Sequence, residues 1–230
     1  LRPSYKYRYD KKLIDKHKKN FFLTIIGMGG SILGTKAIYD FLRNKIKKKI
    51  IFHDNLESNL RVEKKNINLI ISKSGNTLET IVNENIFSKK NKLYITEKTD
   101  NSLRNQALKL KAEIINHKNF IGGRYSVLSE VGMLPAELMG LSSSKFKRFD
   151  KLILNKKFIN SLIINVNSIY DLVKRKKTNS IILNYDESSN AIFRWYQQLV
   201  AESLGKNSNG VLPIISEMPK DNHSLMQLYL

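Results

Sequence analysis

Cysteine is absent from all 230 residues, which excludes a disulfide framework, a thiolate nucleophile and a thiolate metal ligand. No apolar run approaches the length of a membrane span and no signal-peptide pattern is present, so a cytoplasmic protein without membrane contact is expected. Acidic residues are scarce too: 20 Asp and Glu stand against 40 Lys and Arg, a formal charge of +20. Such a balance raises nucleic-acid binding as a function class. The lysines, however, are scattered among many Asn and Ile residues, the pattern an AT-rich genome leaves, and neither a helix-turn-helix nor a clustered basic stripe is visible. Runs such as Lys45 to Lys49 and Lys174 to Lys177 read as solvated helix ends, where positive charge suits the dipole.

The length allows one or two cores. Strand and helix patterns alternate from Phe21 to about Asn116, as a doubly wound parallel sheet requires, with strands at Phe21 to Ile26, Ile50 to His53, Ile67 to Ile71, Leu93 to Thr96 and Glu113 to Ile115. Val131 to about Arg175 reads mainly helical, with a break at Ser142-Ser143-Ser144. A second α/β unit then begins with a strand at Ser180 to Leu183, a helix at Ala191 to Ser203 and a strand near Val211 to Ile215. A last short helix capped by Asp221 or Asn222 stops at Leu230, and Leu1 is not an initiator Met. The expected division is a first α/β domain over 1–142, then a helical connection and an unfinished second unit over 143–230, as in a fragment.

Two strand-to-helix junctions carry the chemistry. Ser72-Lys73-Ser74-Gly75-Asn76-Thr77 follows a buried strand and leads into Leu78, Ile81, Val82 and Ile86, spaced for one face of a helix. Free N–H groups at a helix N-terminus attract a phosphate, and Ser and Thr hydroxyls add hydrogen bonds without a fixed charge. The structural alternative is a capping box on Thr77, but a cap needs one hydroxyl where this loop offers three. Gly27-Met28-Gly29-Gly30-Ser31 repeats the construction before the stripe Ala37, Ile38, Phe41 and Leu42. A dinucleotide turn with Asp54 as ribose-binding acid competes there, although its third glycine would fall at Ile32.

Together these loops resemble the paired phosphosugar-binding loops of sugar-isomerase (SIS) domains. Gly122-Gly123-Arg124-Tyr125-Ser126-Val127-Leu128-Ser129-Glu130-Val131-Gly132-Met133-Leu134-Pro135, Gln198-Leu199-Val200-Ala201-Glu202-Ser203-Leu204-Gly205-Lys206 and Asp221-Asn222-His223-Ser224 with Gln227-Leu228 are similar to segments of the glucose-6-phosphate isomerase family. The resemblance implies an SIS fold and aldose–ketose isomerisation of glucose 6-phosphate through a cis-enediol, with no cofactor and no metal. Glu202 would move the proton between C2 and C1, Arg124 would face the enediolate oxygen, and His223 would open the sugar ring from the neighbouring subunit of a homodimer. Gly30, Ser31, Ser72, Lys73, Ser74 and Thr77 would hold the phosphate.

Glu202 lies seven positions after Trp195 and three after Leu199, on one helical stripe. Partial burial there is expected to raise its carboxyl toward the strength a general base needs. His17, His53 and His117 have no partners at metal spacing and read as incidental. The family's catalytic lysine near its C-terminus has no counterpart, so residues 1–230 alone are expected to bind phosphosugar weakly, to leave it unconverted and to aggregate. The rival functions are another SIS enzyme, such as a dual glucose/mannose phosphate or amino-sugar isomerase, and a phosphosugar-sensing regulatory domain.

Overall fold

The computed structural model describes residues 4–56, 66–87, 91–207 and 209–230. In chain order the first unit contains α1 (Lys11–Lys18), β1 (Phe22–Gly27), α2 (Leu33–Phe41), β2 (Lys49–His53), β3 (Asn66–Ile71), α3 (Leu78–Ile86), β4 (Lys92–Glu97), α4 (Ser102–Lys109), β5 (Glu113–His117) and α5 (Glu130–Leu138). Every strand pairing is parallel and the order is β2-β1-β3-β4-β5. Strand order therefore reverses between β1 and β3, and a doubly wound sheet opens a crevice at the carboxyl ends of the strands on either side of such a reversal. The expected doubly wound architecture is present.

β3 is buried along its whole length, as a central parallel strand with both faces covered must be. Leu23, Ile25, Ile67, Leu69, Ile71, Leu93 and Ile95 meet Ile14, Val131, Leu134 and Leu138 on one face. On the other, Ile26, Ile70 and Tyr94 meet Phe87, Leu103 and Ala107. Burying an aliphatic side chain of this kind stabilises by roughly 1.5–3 kcal/mol, so these two layers set the sheet before any loop is considered. Polar caps then fix the helix starts: Asp10 accepts from Leu13 N and Asn101 from Arg104 N, each at 2.9 Å.

After Met139 the chain runs through a 3-10 turn at Ser143–Lys147, α6 (Asp150–Ile153) and α7 (Lys156–Lys174), so the break expected at Ser142 to Ser144 is a change of helix type. β6 (Asn179–Asn184), α8 (Asn190–Leu204) and β7 (Leu212–Glu217) follow as a βαβ unit with parallel strands, and α9 (Met226–Tyr229) is a single turn. α8 packs on α2, which brings the second unit against the first. α7 buries none of its residues, and Ile163, Val166 and Tyr170 are more than half exposed.

Some sequence expectations are corrected. The α3 stripe is split: Ile81 packs on the sheet core, but Leu78, Val82 and Ile86 are exposed, and Thr80, Asn83 and Glu84 are buried in their place. The reason is a polar anchor. Lys92 Nζ lies 2.5 Å from the Glu84 carboxylate and 2.7 Å from its carbonyl oxygen, and the Tyr94 hydroxyl donates to the same carboxylate at 2.6 Å. Desolvation first, then the Glu84 hydrogen bond, raises the Tyr94 phenol. Asn83 Nδ2 also donates to the Asn55 carbonyl at 2.9 Å. The Lys45 to Lys49 run is not a helix end throughout, since Lys49 opens β2 and lies over the Phe22 ring. Asp221 caps no α-helix; it accepts from Ser216 Oγ and Glu217 N, bonds that hold its carboxyl below the ordinary value.

Lys92 and Glu84 are 2% and 1% exposed, so removing one partner strands a buried charge. Lys92→Met is expected to cost about 3–5 kcal/mol, against about 1 kcal/mol for Tyr94→Phe, which removes one hydrogen bond. Urea unfolding of both variants measures this, and equal losses would contradict it.

Candidate active site

β1 and β3 flank the strand-order reversal, so the residues after their carboxyl ends share one crevice. After β3, the Thr77 side chain does not cap α3 although Thr77 stands at the cap position. Its hydroxyl instead lies 3.0 Å from Ser72 Oγ, which accepts from Gly75 N at 3.1 Å. The first N–H groups of a helix have no intrahelical acceptor, and here the local hydroxyl does not take them. Gly75 has a left-handed φ of 69°, and a Cβ there would fall 1.8 Å from Asn101 Oδ1, so a side chain at this point would collide with the α4 cap. Asn76 Oδ1 accepts from Ser102 N at 2.9 Å, and the loop is thereby laced to the start of α4.

The glycine loop after β1 touches the loop between β5 and α5 backbone to backbone. A Cβ on Gly30 would sit 2.3 Å from the Gly123 carbonyl carbon and 2.6 Å from Arg124 N. Ser126 Oγ donates to the Gly30 and Gly123 carbonyls, at 3.1 and 2.6 Å. Arg124 is held in turn by α8: Trp195 Nε1 donates to the Arg124 carbonyl at 3.1 Å, and Arg124 Nη1 donates to Glu202 Oε1 at 2.7 Å.

Gly30, Ser31, Ser72, Lys73, Ser74, Thr77, Arg124 and Glu202 line one cavity of about 260 Å³. His223 is not among its lining residues; it is exposed, in a short turn after β7. Met28, Glu97, Gly123 and Gln198 join the lining without having been picked out from sequence. Gln198 stands one helical turn before Glu202, a spacing that places both on one face, and its Oε1 is buried without a hydrogen-bond partner among the described residues. Lys73 does not point into solvent: its Nζ donates to the Asn119 carbonyl at 2.8 Å and lies 3.4 Å from the Glu97 carboxylate.

Trp195 of the expected stripe reaches the site through the Arg124 carbonyl, but the expected burial of the Glu202 carboxylate is not found: the side chain is 50% exposed and its partner Arg124 is 23% exposed. The last turn of α8 presents the carboxylate to the open side of the cavity. Asp54, the candidate ribose acid, is paired with Lys36 at 2.5 Å and does not line this cavity. His17 lies 3.3 Å from Glu113, and His117 Nε2 is 3.2 Å from the Ile121 carbonyl, with burial first lowering the His117 pKa.

A hydroxyl-rich loop, a glycine loop and an Arg–Glu pair thus meet at one crevice of a parallel sheet. Solved structures share the fold: a glucose-6-phosphate isomerase from Chlamydia trachomatis superposes with a TM-score of 0.73 at 20% identity, over 94% of this chain and 48% of that one. A tagatose-6-phosphate ketose/aldose isomerase from Escherichia coli gives 0.64 at 12% identity, over 95% and 63%. The pattern of the family described as phosphoglucose isomerase matches residues 16–212. Glucose-6-phosphate isomerase from Methanocaldococcus jannaschii is 40% identical over 96% of this chain and 60% of its own length. The chain belongs to the phosphoglucose isomerase family, and it spans about 60% of the length of that relative.

Gly30→Ala is expected to push the Gly123–Arg124 backbone outward and so to weaken phosphosugar binding and to separate Arg124 from Glu202. Calorimetric titration with glucose 6-phosphate checks it, and unchanged affinity would show that the two loops can part without consequence.

Proposed function

We propose that the whole protein interconverts glucose 6-phosphate and fructose 6-phosphate. The observation carrying this reading is the 2.7 Å Arg124–Glu202 pair in the same cavity as the hydroxyls of Ser31, Ser72, Ser74 and Thr77. A phosphate seated on these hydroxyls and on the first N–H groups of α3 leaves the sugar carbons toward Glu202. Binding energy at that remote phosphate orients the reacting carbons. Glu202 takes the C2 proton to form a cis-enediol and returns a proton to C1, and Arg124 stabilises the developing oxyanion as a fixed cation. Family membership, and the names of the relatives, support this substrate over other phosphosugars.

The remaining parts of the reading rest on the family resemblance. The functional unit is a homodimer in the cytoplasm, and His223 of a second copy opens the sugar ring. Residues 1–142 form the phosphate-binding domain, and 143–230 the connection and the first part of a second SIS unit. The exposed apolar face of α7 and the two-stranded β6–β7 sheet support that division, because parallel strands need cover on both faces. No helix among the described residues is long and apolar enough to cross a membrane.

Glu202→Gln in the full-length protein is expected to lower isomerisation by about 10²–10⁴, with phosphosugar binding retained. Turnover equal to the parent would remove Glu202 from the mechanism. Replacing Ser72 and Thr77 together by Ala is expected to weaken glucose 6-phosphate binding and leave the poor binding of free glucose nearly unchanged; equal losses for both ligands would make the loop structural.

A further inference from the structure

Ser203, the residue after Glu202, belongs to the same turn of α8, and its hydroxyl accepts from Arg124 Nε at 2.9 Å. The Tyr125 hydroxyl lies 2.9 Å from the same Ser203 oxygen, and the Arg124 guanidinium sits 4.8 Å from the Tyr125 ring centroid. Arg124 is thus gripped at two neighbouring positions, Nε by Ser203 and Nη1 by Glu202, with an aromatic ring against it. A bond at Nη1 alone leaves the guanidinium free to swing about its long stem; the second bond, at Nε, fixes its plane. An arginine carries five N–H donors, so the grip still leaves donors for the cavity that Arg124 lines. The Ser203 hydrogen bond, and after it Arg124, lower the Tyr125 phenol from its ordinary value, as a phenol within this chain of contacts requires.

We propose that Ser203 and Tyr125 are positioning residues that hold the Arg124 guanidinium in the plane where it meets both the Glu202 carboxylate and the oxygen of the sugar that becomes charged. They act through Arg124, and neither lines the cavity. Their removal therefore affects the charged, enediolate-like state more than the bound ground state, because a displaced cation loses oxyanion stabilisation while phosphate binding continues.

This rests on the isomerase reading, and two measurements on the full-length protein separate the claims. In the first, Ser203→Ala is expected to lower kcat about 10-fold with KM changed less than about 2-fold, Tyr125→Phe to give a smaller loss of the same kind, and Ser203→Thr to restore kcat to within about 2-fold of the parent. A rise in KM with kcat intact, or no change, would overturn the proposal. In the second, the Arg124 Nε–H resonance of arginine-labelled protein, identified by its loss in Arg124→Lys, is followed by hydrogen exchange without substrate. Slow exchange in the parent and fast exchange in Ser203→Ala are expected; equal exchange would overturn the grip itself. Absence of turnover in the parent would refute the isomerase reading alone, and the exchange result would still decide the role of Ser203.

Discussion

The approach of the Gly30 backbone to the Gly123–Arg124 peptide is the constraint on which the site depends. At 2.3 Å from a hypothetical Cβ to the Gly123 carbonyl carbon there is no room for any other residue, so the β1 loop and the β5–α5 loop behave as one piece. Ser126, bonded to the carbonyls of both Gly30 and Gly123, closes that junction. In the proposed function the β1 loop helps to form the phosphate side and Arg124 the reacting side, and a single backbone contact then sets the distance between them. Backbone contacts of this kind suit the purpose because a main chain has few soft degrees of freedom compared with a long side chain.

The second anchor is electrostatic and lies at the far end of α3. Glu84 and Lys92 meet almost without solvent, where desolvation takes back much of the Coulombic gain. Such a pair adds less to stability than well-packed aliphatic residues of the same volume would, but it tolerates one geometry only. Lys92 also accepts a role a cap would fill, since it donates to the Glu84 carbonyl in the last turn of the helix. α3 is consequently fixed at its C-terminal end by polar contacts, with Ile81 against the sheet and Leu78, Val82 and Ile86 left exposed.

This division explains how much could be read from sequence. The parallel sheet and the two loops were legible, because glycine and hydroxyl residues at a strand-to-helix junction follow from local backbone chemistry, and the loop residues named from sequence line one cavity. Arg124 and Glu202 were named only through family resemblance, and their ion pair was not expected, since 78 positions separate them and no periodicity links them. Spacing gave Leu78, Ile81, Val82 and Ile86 as one stripe but could not say that a Glu–Lys–Tyr cluster would claim most of the buried side and leave only Ile81 of the four against the sheet. Glu202 was misread in the same sense. Periodicity placed it on the stripe with Trp195 and Leu199, yet the last turn of a helix can leave the packed region, and a carboxylate there meets solvent. Gln198 and Ser203 stood inside a family-like segment without a role assigned to them, and Glu97 gave no signal of its own.

The exposure of that pair decides what holds it. An ion pair half open to water is screened and contributes little, so attraction between Arg124 and Glu202 does not by itself explain their geometry. The contacts that do are neutral or main-chain: the Trp195 indole on the Arg124 carbonyl, Ser203 on Nε, the Tyr125 ring beside the guanidinium, and the glycine junction behind it. Trp195 in addition packs against the cluster of Ile38, Val127, Met133 and Ala136, which ties α8 to the hydrophobic interior where salt has no effect. The position of the charged groups is in this way inherited from packing and neutral hydrogen bonds rather than from the attraction between their charges.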